Sequence, residues 1–202
     1  VPILGDIPIL GAAFRGNEIS GNGNVGLYLR GNEVARIALR DNRIERNDAA
    51  GVRVLAGKFL HSSVRNNTLA ENRGDGMVAR TGLVVHNLSL AENRVLDNAG
   101  VGLNINNSLT HAGTVNLTDN LVAANAYGIR VAGAFDGRIL NNTVVFNTHG
   151  DAPVELRDYR PGTGIVVEEG DAGAIFRTGD VSETLEELVD DEEVEKRLDG
   201  RV

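Results

Sequence analysis

Cysteine is absent from the 202 residues, which excludes a disulfide framework and any thiolate metal site. Tryptophan is absent too, and aromatic residues make up only 4% of the chain. A core must therefore be built from Val, Ile, Leu and Ala. No apolar run approaches the roughly 18 residues that a membrane-spanning helix needs. The chain opens at Val1 without a basic-then-apolar leader, which suits a processed or excised piece. A basic stripe is also lacking, so nucleic-acid binding is not expected.

Charge is unevenly spread. Ten acidic residues between Asp180 and Val202 stand against Lys196, Arg197 and Arg201, so this tail carries −7 of the net −8. The body is nearly neutral.

What the chain has in abundance is glycine, 25 residues, and a repeated Asn-x-[Ile/Leu/Val]-x-x-Asn unit. The unit runs Asn17–Asn22, Asn42–Asn47, Asn67–Asn72, Asn93–Asn98, Asn120–Asn125 and Asn142–Asn147. The first asparagines are 25, 25, 26, 27 and 22 residues apart. An apolar residue stands three places before each unit: Phe14, Leu39, Val64, Leu90, Leu117 and Ile139. Another lies two places after its first Asn: Ile19, Ile44, Leu69, Val95, Val122 and Val144. A glycine and an alternating strand follow, as in Gly26-Leu-Tyr-Leu29 and Gly102-Leu-Asn-Ile105. The sixth unit departs, with Gly150 followed by Val154-Glu-Leu156 only after a gap.

Period-2 alternation in three short strands per unit buries one face of each strand. One coil cannot bury that face alone. Stacked coils about 4.8 Å apart join their strands into parallel sheets around a continuous core. Asparagine tolerates left-handed backbone, and stacked Asn side chains hydrogen-bond from coil to coil. The twelve asparagines therefore read as turn ladders, and the glycines as turn residues.

The pattern Asn-x-Ile-x-x-Asn…Gly-Ile-x-Leu resembles the right-handed parallel β-helix superfamily over roughly residues 14–156. That superfamily includes pectate-lyase-like proteins, uronate epimerases and periplasmic carbohydrate-binding proteins. The resemblance implies an all-β, right-handed parallel β-helix of six to seven coils, and a secreted, periplasmic or cell-surface setting. Gly164-Ile-Val-Val-Glu168 and Ala174-Ile-Phe176 read as one more partial coil. The expected organisation is an N-terminal cap over 1–13, the β-helix over 14–178 and an acidic helical tail over 179–202. In the tail, Asp180 is placed to cap a helix with Glu183 reaching back, and Leu185, Leu188 and Val189 share a face. Residues Val1 to Phe14 also resemble a signature of the outer-membrane secretin family, Val-Pro-x-Leu-Gly-Asp-Ile-Pro-x-x-Gly-x-x-Phe.

Chemistry is sparse. His61, His86 and His111 recur at the coil period, but their offsets from the following ladder asparagines differ, so alternation puts neighbours on different faces. They read as surface or turn residues, and no metal site is expected. Lyases of this fold that use calcium gather Asp and Glu ligands beside an Arg or Lys base. No such cluster stands in the coils, so no cofactor is expected. No acid–base pair or nucleophile motif marks an enzyme, and a lyase or epimerase is the class the resemblance would imply. The best site is the outward column of the Gly-led strands: Tyr28, Arg53, Val78, Asn104, Arg130 and Glu155. Tyr can stack on a sugar ring, and Arg can grip a carboxylate with two bonds. The leading expectation is polysaccharide binding along this face. The alternative is a structural or interaction module near a secretion channel or in envelope assembly. Outward positions of the strand between paired asparagines turn from polar (Glu18, Ser20, Arg43, Glu45) to apolar (Leu96, Leu121, Ala123, Val145). A protein partner or the chain's own tail is expected to cover that flank.

Overall fold

The computed structural model describes residues 9–107, 111–147, 164–169 and 175–178. In chain order the strands are β1 (Ile9–Leu10), β2 (Ala13–Arg15), β3 (Glu18–Ser20), β4 (Leu27–Ala35), β5 (Ala38–Arg40), β6 (Arg43–Glu45), β7 (Val52–Arg65), β8 (Thr68–Ala70) and β9 (Met77–Ala91). They continue as β10 (Arg94–Leu96), β11 (Val101–Asn106), β12 (Gly113–Thr118), β13 (Leu121–Ala123), β14 (Tyr127–Gly133), β15 (Phe135–Leu140), β16 (Thr143–Val145), β17 (Ile165–Glu169) and β18 (Ile175–Thr178). Every pairing is parallel, so each strand stacks on its counterpart one coil away.

Two sheets wrap the core. The short strand between paired asparagines forms a six-stranded sheet, in the order β16-β13-β10-β8-β6-β3. All other strands join one large bent sheet. In the second and third coils the Gly-led strand runs without a break into the strand before the next asparagine, giving the 14 residues of β7 and the 15 of β9. The short sheet has six rungs separated by five turns. Against an expected six to seven coils, about five full turns are found; β17 stacks on β14 in the sixth rung, and β18, stacked on β15, begins the next. The inward columns Leu39-Val64-Leu90-Leu117-Ile139 and Ile44-Leu69-Val95-Val122 are buried.

Each interior ladder asparagine joins three coils, and Asn93 shows the full set. Its Nδ2 donates forward to Asn120 Oδ1 at 2.9 Å and back to the Val64 carbonyl at 2.8 Å. Its backbone N–H donates to the same Asn120 Oδ1 at 3.0 Å. Its own Oδ1 accepts from the backbone and side chain of Asn67, both at 3.0 Å. Such saturation is what a buried carboxamide requires.

The left-handed residue of each turn is not the ladder asparagine but the residue just before it. Gly16, Gly21, Asp41, Arg46, Asn66, Glu71, Glu92, Asp97, Asp119, Ala124, Asn141 and Phe146 all have φ between +51° and +66°. A left-handed non-glycine residue is unfavourable by about 1–2 kcal/mol. The bonds of the asparagine that follows offset it.

The glycines heading the long-sheet strands are likewise needed for another reason than φ, which is not positive at Gly26, Gly51, Gly76, Gly102 or Gly128. Here the coil closes tightly. A Cβ on Gly102 would lie 2.5 Å from Val122 Cγ1 and 2.7 Å from the Gly128 carbonyl. The column is steric as far as Gly128, which the Gly164 carbonyl crowds while accepting from Ile129 N–H at 2.8 Å; a Cβ on Gly164 itself would meet only Val144 Cγ1, at 3.8 Å.

Candidate functional site

Two outward columns line the Gly-led face. In register, the first runs Tyr28-Arg53-Val78-Asn104-Arg130-Val166. The second, two residues further along each strand, runs Arg30-Leu55-Arg80-Asn106-Ala132. The place expected for Glu155 is taken by Val166, and Glu155 itself lies outside the described residues. The reason is the 36-residue step from Gly128 to Gly164, an insertion that carries the chain past Gly150 before the core pattern resumes.

A cleft of about 380 Å³ opens on this face, lined by Tyr28, Arg53, Asp75, Val78, Arg80 and Asn104. It brings together three of the five expected binding residues: Tyr28, Arg53 and Asn104. Arg130, one rung beyond, is not in its lining. Arg53 and Arg80 are exposed and Tyr28 is half-buried. Two guanidinium groups and a phenol thus share one opening, over a floor of Val78 and Asn104.

The floor is a fixed polar network. Asp75 Oδ1 accepts from Val101 N–H at 2.8 Å, and its Oδ2 accepts from Asn104 Nδ2 at 3.0 Å. Asn104 Oδ1 accepts from Arg130 Nη1 at 3.3 Å, and Asn106 Oδ1 accepts from the same nitrogen at 3.0 Å. Asn104 is 4% exposed and Arg130 8% exposed. These two outward residues are held down against the sheet.

Arg80 and Asp75 were not among the residues the sequence pointed to. Arg80 follows Val78 by two places, so alternation alone puts it on the same face. Following one residue per coil passes over that second column. Asp75 sits in the turn before β9, where no periodic pattern operates.

A second, shallower depression of about 620 Å³ lies on β12 and β15, lined by Thr114, Asn116, Thr118, Asp136, Arg138 and Leu140. It has one cation and no aromatic ring.

The histidines behave differently from the register expectation. His61 and His86 do meet, edge to face, with ring centroids 5.7 Å apart. His61 is a left-handed turn residue at φ +48°, and the turn swings its ring onto the next coil. Asn87 Nδ2 approaches His61 Nδ1 at 3.1 Å, and Thr114 Oγ1 approaches His86 Nδ1 at 3.3 Å. The Asn87 amide can only donate, so it occupies the His61 Nδ1 lone pair that a metal ion would need there. Among the described residues, no three His, Asp or Glu side chains gather as a metal ion would need.

Away from the cleft, arginines stack in register as Arg15, Arg40 and Arg65 beside acidic turn residues. Arg65 grips Glu92 through two bonds of 2.5 and 3.0 Å, which holds the Glu92 carboxyl below the ordinary carboxylate range. This pair is exposed and belongs to the rod's surface.

The family model described as "Right handed beta helix region" fits residues 11–180. Comparison with the curated proteins and with the solved structures gives no match.

Proposed function

The chain belongs to the right-handed β-helix family, and on that scaffold we propose an extracytoplasmic domain that binds polysaccharide along the outer face of its Gly-led strands. The scaffold alone does not choose a function, so the reading rests on the site. One observation carries it: Tyr28, Arg53, Arg80 and Asn104 line a single cleft. A polymer laid across the coils meets a new side chain about every 4.8 Å. Tyr28 offers a ring face to a sugar, and Arg53 and Arg80 offer planar donors to a carboxylate or sulfate. An acidic polysaccharide is therefore the favoured ligand.

The test is a panel of neutral and acidic glycans offered to the chain and to an Arg53→Ala/Arg80→Ala variant. The chain is expected to prefer acidic polymers and to weaken as salt rises. Losing both charge-assisted contacts should cut affinity at least about tenfold. Absence of acidic-glycan binding by the unaltered chain, or equal binding by the variant, would overturn the reading. Processing of the bound polymer by a lyase or epimerase step would be a further property of the same cleft, checked by following chain length and uronate configuration.

A second reading has its own support. Asn104 and Arg130 are committed to each other, as a spacer's surface would commit them. On this reading the chain is a structural or interaction module in envelope assembly, and the flank Leu96, Leu121 and Val145 is its contact surface. Residues 1–8, which hold much of the secretin-like stretch, lie outside the described residues.

A further inference from the structure

The outward face of the short sheet changes character along the rod. On the first two rungs it presents Glu18, Ser20 and Arg43, with Glu45 buried against Arg43 and Arg46. On the last three it presents Leu96, Leu121, Ala123 and Val145, broken by Arg94 and Thr143. Leu96 and Leu121 are half-buried, and Val145 is 37% exposed. Phe146 follows in a left-handed turn at φ +55° and is 81% exposed. Strand β16 ends the sheet, with β13 as its one pairing neighbour among the described residues. Among the described residues, the sheet thus ends beside an exposed apolar flank.

The chain itself arrives there. Strand β18 lies in register on β15, with Thr178 beside Ile139. In the coil below, three residues separate Ile139 from Thr143, the first residue of β16. The remaining 24 residues, 179–202, therefore start one rung above β16 at the same corner. Continued in register, Glu183 would fall on Val144, in the core column of Ile19, Ile44, Leu69, Val95 and Val122. An unpaired carboxylate there is too unfavourable to bury. Val181 and Glu186 would fall where the ladder needs asparagine. The repeat cannot go on, and the sequence turns to a different pattern, Leu185, Leu188 and Val189 at helical spacing behind Asp180 and Glu183.

We propose that residues 180–189 pack as an amphipathic helix on the Leu96–Leu121–Val145–Phe146 flank of their own chain, with Leu185, Leu188 and Val189 covering Val145 and Phe146. The dimensions agree. Ten helical residues extend about 15 Å, and three rungs span about 10 Å. Charge agrees too, since exposed Arg94 sits beside Leu121 and the segment from Asp180 onward carries −7. This inference does not rest on the Tyr28 cleft, which lies on the other sheet, and it gives the flank to the chain's own tail in place of another protein.

Because the chain has no tryptophan, Phe146→Trp in the full chain provides a single reporter. Its emission should lie at shorter wavelength than in a Phe146→Trp/Leu185→Asp/Leu188→Asp chain. Its acrylamide quenching constant should be at least about twofold lower, with both chains monomeric by sedimentation. Equal quenching in the two chains would overturn the proposal. So would a reporter covered only at concentrations where the mass doubles, since the occupant would then be a second copy. Should Phe146→Trp fold poorly, hydrogen exchange at Thr143–Phe146 decides. It should be slower by tenfold or more in the unaltered chain than in Leu185→Asp/Leu188→Asp, and equal rates would reject the docking.

Discussion

At the scale of single residues, the asparagine ladder concentrates stability in groups that cannot be replaced conservatively. In Asn93→Ala the backbone N–H of Asn67 loses its acceptor and the carbonyl of Val64 loses a donor, both in a dry interior. Each stranded group costs about 1–3 kcal/mol, so the variant should lose about 2–5 kcal/mol in chemical denaturation. Asn93→Asp tests the donor side alone. Its carboxylate would face Asn120 Oδ1 and the Val64 carbonyl, two acceptors, in place of an amide that donates to both. Burial and those acceptors raise the folded-state pKa above the unfolded one. The sign follows: the penalty is full above the folded pKa and is relieved as pH falls through it, so this variant gains stability relative to the parent on acidification. A loss below about 0.5 kcal/mol in Asn93→Ala would show that water or neighbouring groups satisfy the ladder instead. The ladder itself was legible in the sequence, because two asparagines recurring at fixed places in every coil must stack on their own copies. Which residue takes the left-handed turn was not. Arg46, Ala124 and Phe146 do so against their own preference, held by hydrogen bonds of the next residue that no local propensity records.

At the scale of elements, the coil closes where the Gly-led strand passes the inward side chain of the short sheet. Gly102→Ala pushes a methyl against Val122 Cγ1 and the Gly128 carbonyl, and neither can yield without moving a rung. Overpacking of this kind is expected to lower stability by about 1–3 kcal/mol. At Gly82 an added Cβ would meet nothing within 4 Å, so alanine should be accepted there with little change. Thermal unfolding of the two variants side by side checks the steric account, and equal losses would refute it. Sequence alternation placed both strand faces correctly through the fifth coil, since each outward column from Tyr28 to Arg130 is in register. It failed at the sixth, where the longer step from Gly128 left Gly150 and Gly164 as rival starts. The cleft was half legible for a related reason. Tyr28, Arg53 and Asn104 lie on one column, whereas Arg80 lies on a parallel one and Asp75 in a turn. A cleft is a property of neighbouring columns, which a reading of one residue per coil does not combine.

At the scale of the whole molecule, each rung touches only the rungs above and below, so stability should be a sum of rung and interface terms. Deleting residues 67–92 is the direct test. The excision joins Asn66, already left-handed, to Asn93, and it restores a ladder in which Asn42 meets Asn93 in place of Asn67. Strand β6 would then stack on β10, and β7 on β11 and β12. The acceptor Asn107 Oδ1, which now takes Val85 N–H, would meet Phe59 N–H, because Phe59 and Val85 share a column. A five-rung solenoid with parallel-sheet circular dichroism is expected. Its denaturant slope should be smaller by about one-eighth, in proportion to the surface lost. The same excision removes Asp75, Val78 and Arg80 and sets Arg53 directly beside Asn104. Acidic-glycan binding should therefore fall although Tyr28 and Arg53 remain. A shortened chain that folds but keeps full affinity would move the binding surface elsewhere. One that fails to fold would show that the coils are coupled beyond nearest neighbours, so the rod would be a single cooperative unit rather than a stack of additive rungs.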